Sequence, residues 1–105
     1  LWSKLDTYNY DSRISGDYGT GTVWVEKFKS GTKELYVFFK PFQFDSNTGI
    51  VKNDSTSVNY QFNLSKIPQS TRFTKTDFNV EIKFPTTQTI TLPAFTTPQY
   101  LEVTY

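Results

Sequence analysis

The chain has no cysteine, no histidine and no methionine, and only one alanine, Ala94. Without cysteine there is no disulfide, no thiolate nucleophile and no thiolate metal site. Without histidine the commonest general base and the commonest metal ligand are missing together. These two absences argue against an enzyme, so no catalytic residue, metal or other cofactor is expected. Long apolar runs are missing too: no stretch approaches the roughly 18 residues that a membrane-spanning helix needs. Charge of one sign is nowhere concentrated. Eleven basic and ten acidic residues are scattered without runs and give a formal net charge of +1, so neither nucleic acid nor membrane insertion is indicated.

What is abundant is rings and β-branched residues. Aromatics make up 18% of the chain, with ten Phe, seven Tyr and two Trp, and threonine occurs sixteen times. Such side chains suit pleated surfaces better than helices. A chain of 105 residues fits one domain and buries roughly two thirds of the surface that its unfolded form exposes. We therefore expect residues 1–105 to form a single β domain. The start on Leu1-Trp2 and the stop on Val103-Thr104-Tyr105 suggest a segment of a longer protein.

Residues Leu1 to Gly21 are polar, with Gly16, Gly19 and Gly21 closely spaced, and read as a lead-in of loops and short irregular strands or as a ligand-facing surface. Thr22 to Lys40 reads as a hairpin, two strand-like runs separated by Ser30-Gly31. A loop there pairs Lys29 with Thr32, Lys27 with Glu34, Val25 with Tyr36 and Val23 with Phe38 on one face. The other face then pairs Phe28 with Lys33, Glu26 with Leu35 and Trp24 with Val37. Both faces carry apolar residues, so both are expected to be covered, by another sheet or another subunit.

Val58 to Leu64 alternates apolar and amide residues, and Phe78 to Phe84 alternates apolar and polar ones; both predict half-buried strands with one wet face. Pro41 to Phe44 continues extended, Asp45 to Gly49 and Val51 to Ser57 read as loops, and Ser65 to Asp77 as a connection between sheets. Thr89 to Leu92 and Leu101 to Tyr105 supply two more strands, and the five prolines fall between strand runs. The total is six or seven strands with no helical periodicity, which predicts an antiparallel β-sandwich or Greek-key barrel.

No acidic pair has a spacing that marks glycoside chemistry. An oxygen-ligand metal loop at Asp45-Ser46-Asn47-Thr48 lacks the further acidic positions of a calcium loop. The sequons Asn53-Asp54-Ser55 and Asn63-Leu64-Ser65 are what six asparagines among so many hydroxyl residues yield by chance. The positive feature is rings beside amides, the combination that stacks on a sugar's C–H face and holds its hydroxyls. Tyr8, Tyr10, Asp11 and Arg13 cluster within the lead-in, and Trp24 and Tyr36 lie in the hairpin. These six are the candidate saccharide-binding residues. The bland alternatives are a structured lead-in or subunit contact for the cluster and core packing for Trp24.

The hairpin resembles an element of the C-terminal head domains of phage tail-fibre and receptor-binding proteins, written YRKWxxGTxExW. Over Val25 to Tyr36, Lys27, Gly31, Thr32 and Glu34 match, Phe28 and Tyr36 keep an aromatic where the family has Trp, and Val25 and Glu26 depart from its Tyr-Arg. Leu92 to Val103, with Pro93, Phe95 and Pro98, is similar to the closing strand pair of the same domains. The resemblance implies a homotrimeric head at the tail tip of the virion of a phage infecting a Gram-positive host, where it would recognise wall or surface polysaccharide. It carries over no binding residue. The alternatives are a monomeric carbohydrate-binding module or adhesin domain of a secreted, extracellular or cell-surface bacterial protein, and a structural trimerisation or capping domain of a fibre.

Overall fold

The structure is a computed structural model that describes residues 7–16, 23–41 and 57–105 in full, and residues 43–45 and 50–52 as backbone. These residues form ten antiparallel strands and no helix: β1 (Asn9–Ser15), β2 (Trp24–Ser30), β3 (Lys33–Phe39), β4 (Gln43–Asp45), β5 (Ile50–Lys52), β6 (Val58–Asn63), β7 (Ser70–Thr74), β8 (Val80–Lys83), β9 (Thr89–Ala94) and β10 (Gln99–Thr104). Six of them form one sheet in the order β1-β2-β3-β10-β7-β8, while β4 pairs with β5 and β6 with β9. The lead-in thus supplies a strand, β1, with irregular steps between Tyr10 and Ser12 and between Arg13 and Ser15. The metal loop and the first sequon considered above extend into residues outside those described.

Side-chain alternation sorts the six-strand sheet into two faces. One carries Val25, Tyr36, Phe38, Phe73, Leu101 and Val103, and packs against Phe62, Leu64 and Ala94 of the β6–β9 layer. Phe38 sits at the centre, its ring 5.0 Å from that of Phe62 and 5.9 Å from that of Phe73. Two sheets sharing one apolar layer make the sandwich expected of this sequence. On the other face, Tyr8 closes over Leu35 and Tyr100, with Phe28 and Val37 against them. The hairpin is thus buried on the β6–β9 side and partly covered by Tyr8 on the other, where Trp24, Phe28, Val37 and Phe39 are half-buried.

Strand β10 is buried from Gln99 to Val103, because it lies between β3 and β7, with the β6–β9 layer on one face and Tyr8 over Tyr100 on the other. Gln99 is fully enclosed, and its amide accepts from the Phe95 N–H at 2.9 Å and donates to the Pro93 carbonyl. That satisfies the buried amide and fixes the β9–β10 turn.

Several expectations need correction: ten strands stand where six or seven are expected, and Val51 and Lys52 lie in β5 rather than in a loop. The hairpin loop is Gly31-Thr32, so Lys27 lies opposite Tyr36, Lys29 opposite Glu34, and Trp24 opposite Phe39. Gly31 takes the first loop position at φ 60°, where the twist of a two-residue loop calls for positive φ; the faces survive, and each partner moves by two. The stretch from Ser65 to Asp77 contains β7, a central strand rather than a connection. Pro93 lies inside β9, which tolerates it because, among the described residues, β9 pairs only with β6. The apolar residues of the Phe78 to Phe84 run are exposed, not half-buried: Phe78 by 79%, Ile82 by 61% and Phe84 by 74%.

Candidate functional site

The six candidate residues divide between the two faces of the sheet. Tyr10, Arg13 and Trp24 come together on the face away from β6 and β9, around Glu26. The Glu26 carboxylate accepts from the Tyr10 hydroxyl at 2.7 Å, Arg13 Nε at 3.0 Å and Trp24 Nε1 at 2.9 Å. Partial burial alone would raise its pKa, but those three hydrogen bonds and the Arg13 charge hold it below the ordinary value. The Arg13 guanidinium also lies over the indole of Trp24 at 4.2 Å, and Phe39 stacks near it at 6.2 Å. Gly16 presses so close that a Cβ there would sit 2.8 Å from Trp24 Cδ2. The polar groups of this cluster are spent on one another, and the indole is hemmed in by its own chain. The arrangement clamps the lead-in onto the sheet.

Tyr8 is buried, and its hydroxyl donates to Glu102 at 2.8 Å. Its pKa is raised by burial first and by that carboxylate second. Asp11 turns to the opposite face, 3.4 Å from Lys29 Nζ and 3.9 Å from Lys27 Nζ. Tyr36 is only 5% exposed, because the β6–β9 layer covers it, with Phe62 5.3 Å away.

Tyr36 nevertheless forms part of a concave site. A cleft of about 250 Å³ opens between β1, the β2–β3 hairpin and the end of β6, lined by Ile14, Lys27, Tyr36, Tyr60, Phe62, Asn63, Leu64 and Ser65. The buried rings of Tyr36 and Phe62 and the Leu64 side chain make an apolar floor. Tyr60 is half-buried and packs edge-on against Phe62 at 4.8 Å, so it reaches the rim with ring surface. Exposed Asn63 and Ser65 supply polar atoms to the cleft, and Lys27 lines it with its ammonium held 2.9 Å from the Glu34 carboxylate. The volume lies just below the range of roughly 300–1,000 Å³ typical of small-molecule sites.

Below the cleft, Glu34 holds the floor in place. Its carboxylate accepts from Lys27 Nζ at 2.9 Å, the Tyr36 hydroxyl at 3.1 Å and the Tyr105 hydroxyl at 2.8 Å. Burial acts to raise its pKa, but the three donors outweigh it and leave the carboxyl below its ordinary value. The Tyr36 hydroxyl is pushed up in turn, by burial and then by the Glu34 charge. Lys27 and Tyr36 are thus held in place by the chain's own contacts.

Of the candidates, the structure brings only Tyr36 to this cleft. Lys27, Tyr60, Asn63 and Ser65 were not among them, although the amide alternation of β6 is the signal that could have found Asn63. Comparison with known proteins adds nothing to this geometry: the chain matches no protein-family model, no curated protein and no solved structure.

Proposed function

We propose that this domain is a receptor-binding head that recognises a saccharide of a bacterial cell surface, and that the cleft beside Tyr60 and Asn63 is where it does so. The observation that carries the reading is the cleft itself, a concavity with an aromatic floor, a half-buried ring at its rim and an exposed amide and hydroxyl among its lining groups. A sugar presents the complementary surfaces, apolar C–H faces and a ring of hydroxyls, and a neutral one needs no net charge on its binder. Fixing Lys27 and Tyr36 through Glu34 removes part of the ordering cost of binding. A small site binds weakly, and several copies on one virion tail tip would raise it by avidity.

The phage assignment rests on the resemblance of the hairpin and of the Leu92 to Val103 stretch. The fixed Tyr10–Arg13–Trp24–Glu26 cluster supports a structural role for the lead-in within such a head. The test is binding of the fluorescently labelled chain to a panel of Gram-positive cells before and after periodate oxidation, which cleaves sugar diols and leaves most protein intact. Retention on at least one strain, lost after oxidation and lost with Tyr60→Ala, is the expected result. Binding that survives oxidation, or that is abolished by proteolysis of the cells instead, would overturn the saccharide reading.

A further inference from the structure

We infer that β8 is a self-association edge, and that two copies of this chain pair β8 to β8 in antiparallel fashion about a two-fold axis at Ile82. In the described sheet β8 is terminal, and terminal strands are ordinarily protected by bulges, charge or cover. The opposite edge, β1, has two irregular steps and carries Asp11 and Arg13. By contrast β8 pairs with β7 in unbroken register from Thr74 and Val80 to Thr71 and Lys83. It displays Val80, Ile82 and, just beyond it, Phe84, all exposed. Phe78, in the β7–β8 turn, adds a ring that is 79% exposed at φ 65°, a conformation that favours glycine over a bulky side chain.

The backbone is poised for the same contact. The Asn79 carbonyl points inward and accepts from the Lys75 N–H, so by strand alternation the N–H and C=O groups of Val80, Ile82 and Phe84 point away from β7. An antiparallel partner centred on Ile82 makes Ile82 opposite Ile82, and Val80 opposite Phe84, the hydrogen-bonded pairs, each exchanging both backbone bonds.

Side chains select the occupant. The same register sets Glu81 of one copy opposite Lys83 of the other, twice by symmetry, so the edge is complementary to itself in charge as well as in shape. Within one chain Glu81 already lies 2.8 Å from Lys83 Nζ and 3.2 Å from Lys75 Nζ, so the same charges that pair along the strand are available to pair across the two-fold axis. A two-fold contact is isologous and closes on a dimer, in contrast to the trimer that the family resemblance implies.

Light scattering on the 105-residue chain across a concentration series, with Ile82→Lys, Glu81→Lys, Lys83→Glu and the double reversal, tests the pairing. The expected result is a mass of two chains that falls to one with Ile82→Lys. Each single reversal places like charges opposite one another at both symmetric sites and raises the dimer dissociation constant about tenfold or more. The double reversal restores the parent mass, and unchanged circular dichroism shows that each variant is folded. A monomer at every concentration, a trimer, or a dimer indifferent to the single reversals overturns the inference.

Discussion

Replacing Glu34 with Gln changes one charge while keeping the shape of the side chain, and its consequence follows from three distances. The carboxylate oxygen that accepts from the tyrosines, 3.1 Å from Tyr36 and 2.8 Å from Tyr105, has a counterpart in the amide oxygen. The other oxygen, 2.9 Å from Lys27 Nζ, becomes an amide nitrogen facing an ammonium, donor against donor. Two tyrosine bonds fall from charged to neutral strength and one buried ion pair is broken. With about 1 kcal/mol for that weakening and 1–2 kcal/mol for the stranded ammonium, which Asp11 at 3.9 Å relieves in part, Glu34→Gln should destabilise the fold by roughly 2–3 kcal/mol at pH 7. In thermal melts this is a drop on the order of 10 °C or more.

The pH dependence supplies the sharper check. The folded pKa of Glu34 lies below its ordinary 4.5, so acid favours the unfolded chain. The stabilisation is fully present above pH 4.5 and is lost as the pH falls through the depressed folded value. Urea unfolding at pH 7 and near pH 3 should therefore show a gap between parent and Glu34→Gln that shrinks on acidification. Equal stabilities at pH 7, or a gap that stays constant into acid, would refute the reasoning. Glu26 and Glu81, which also titrate below their ordinary values, are common to both proteins and cancel.

Other substitutions probe other parts of the account by the same urea assay. Phe38→Ala, at a fully buried ring against Phe62 and Phe73, should cost about 3–5 kcal/mol. Gly16→Ala combines a 2.8 Å approach to Trp24 with φ +143°, whereas Gly31→Ala at φ +60° meets open space; the first should cost about 2 kcal/mol or more and the second about 1 kcal/mol. A reversed order would contradict the packing described around Trp24. Phe78→Gly should stabilise the β7–β8 turn by about 1 kcal/mol, because the native φ of 65° is strained for any residue with a Cβ. An unchanged or lower midpoint would mean that the ring makes compensating contacts within the fold.

Much of the sheet was legible because alternation reports faces. The split of the hairpin into Val25, Tyr36 and Phe38 on one side and Phe28, Leu35 and Val37 on the other follows from period two alone. Register needs one more fact, the loop position at which a glycine's positive φ is useful, which puts Thr32 and not Ser30 beside Gly31 in the loop. β7 stayed hidden because Thr71 and Thr74 look like loop residues, and only its place between β10 and β8 buries them. Alternation in β8 was plain, but it tells which residues share a face and not whether anything covers that face. The site suffered from the same blindness. Tyr36 reads as a ring on a covered face, but nothing in the sequence tells that β6 leaves a cleft beside it, and Glu26 reads as a lone charge until the β1–β2 register brings Tyr10 and Arg13 to it.

The central claim is that a surface saccharide sits in the cleft between β1 and the end of β6. It is tested most directly by screening the chain on an array of Gram-positive wall and surface glycans, with Asn63→Ala, Tyr60→Ala and Tyr10→Ala alongside. The account predicts retention of one or more glycans, lost with Asn63→Ala and Tyr60→Ala and unchanged with Tyr10→Ala. Retention of no glycan, or a loss caused by Tyr10→Ala but not by the cleft variants, would contradict it.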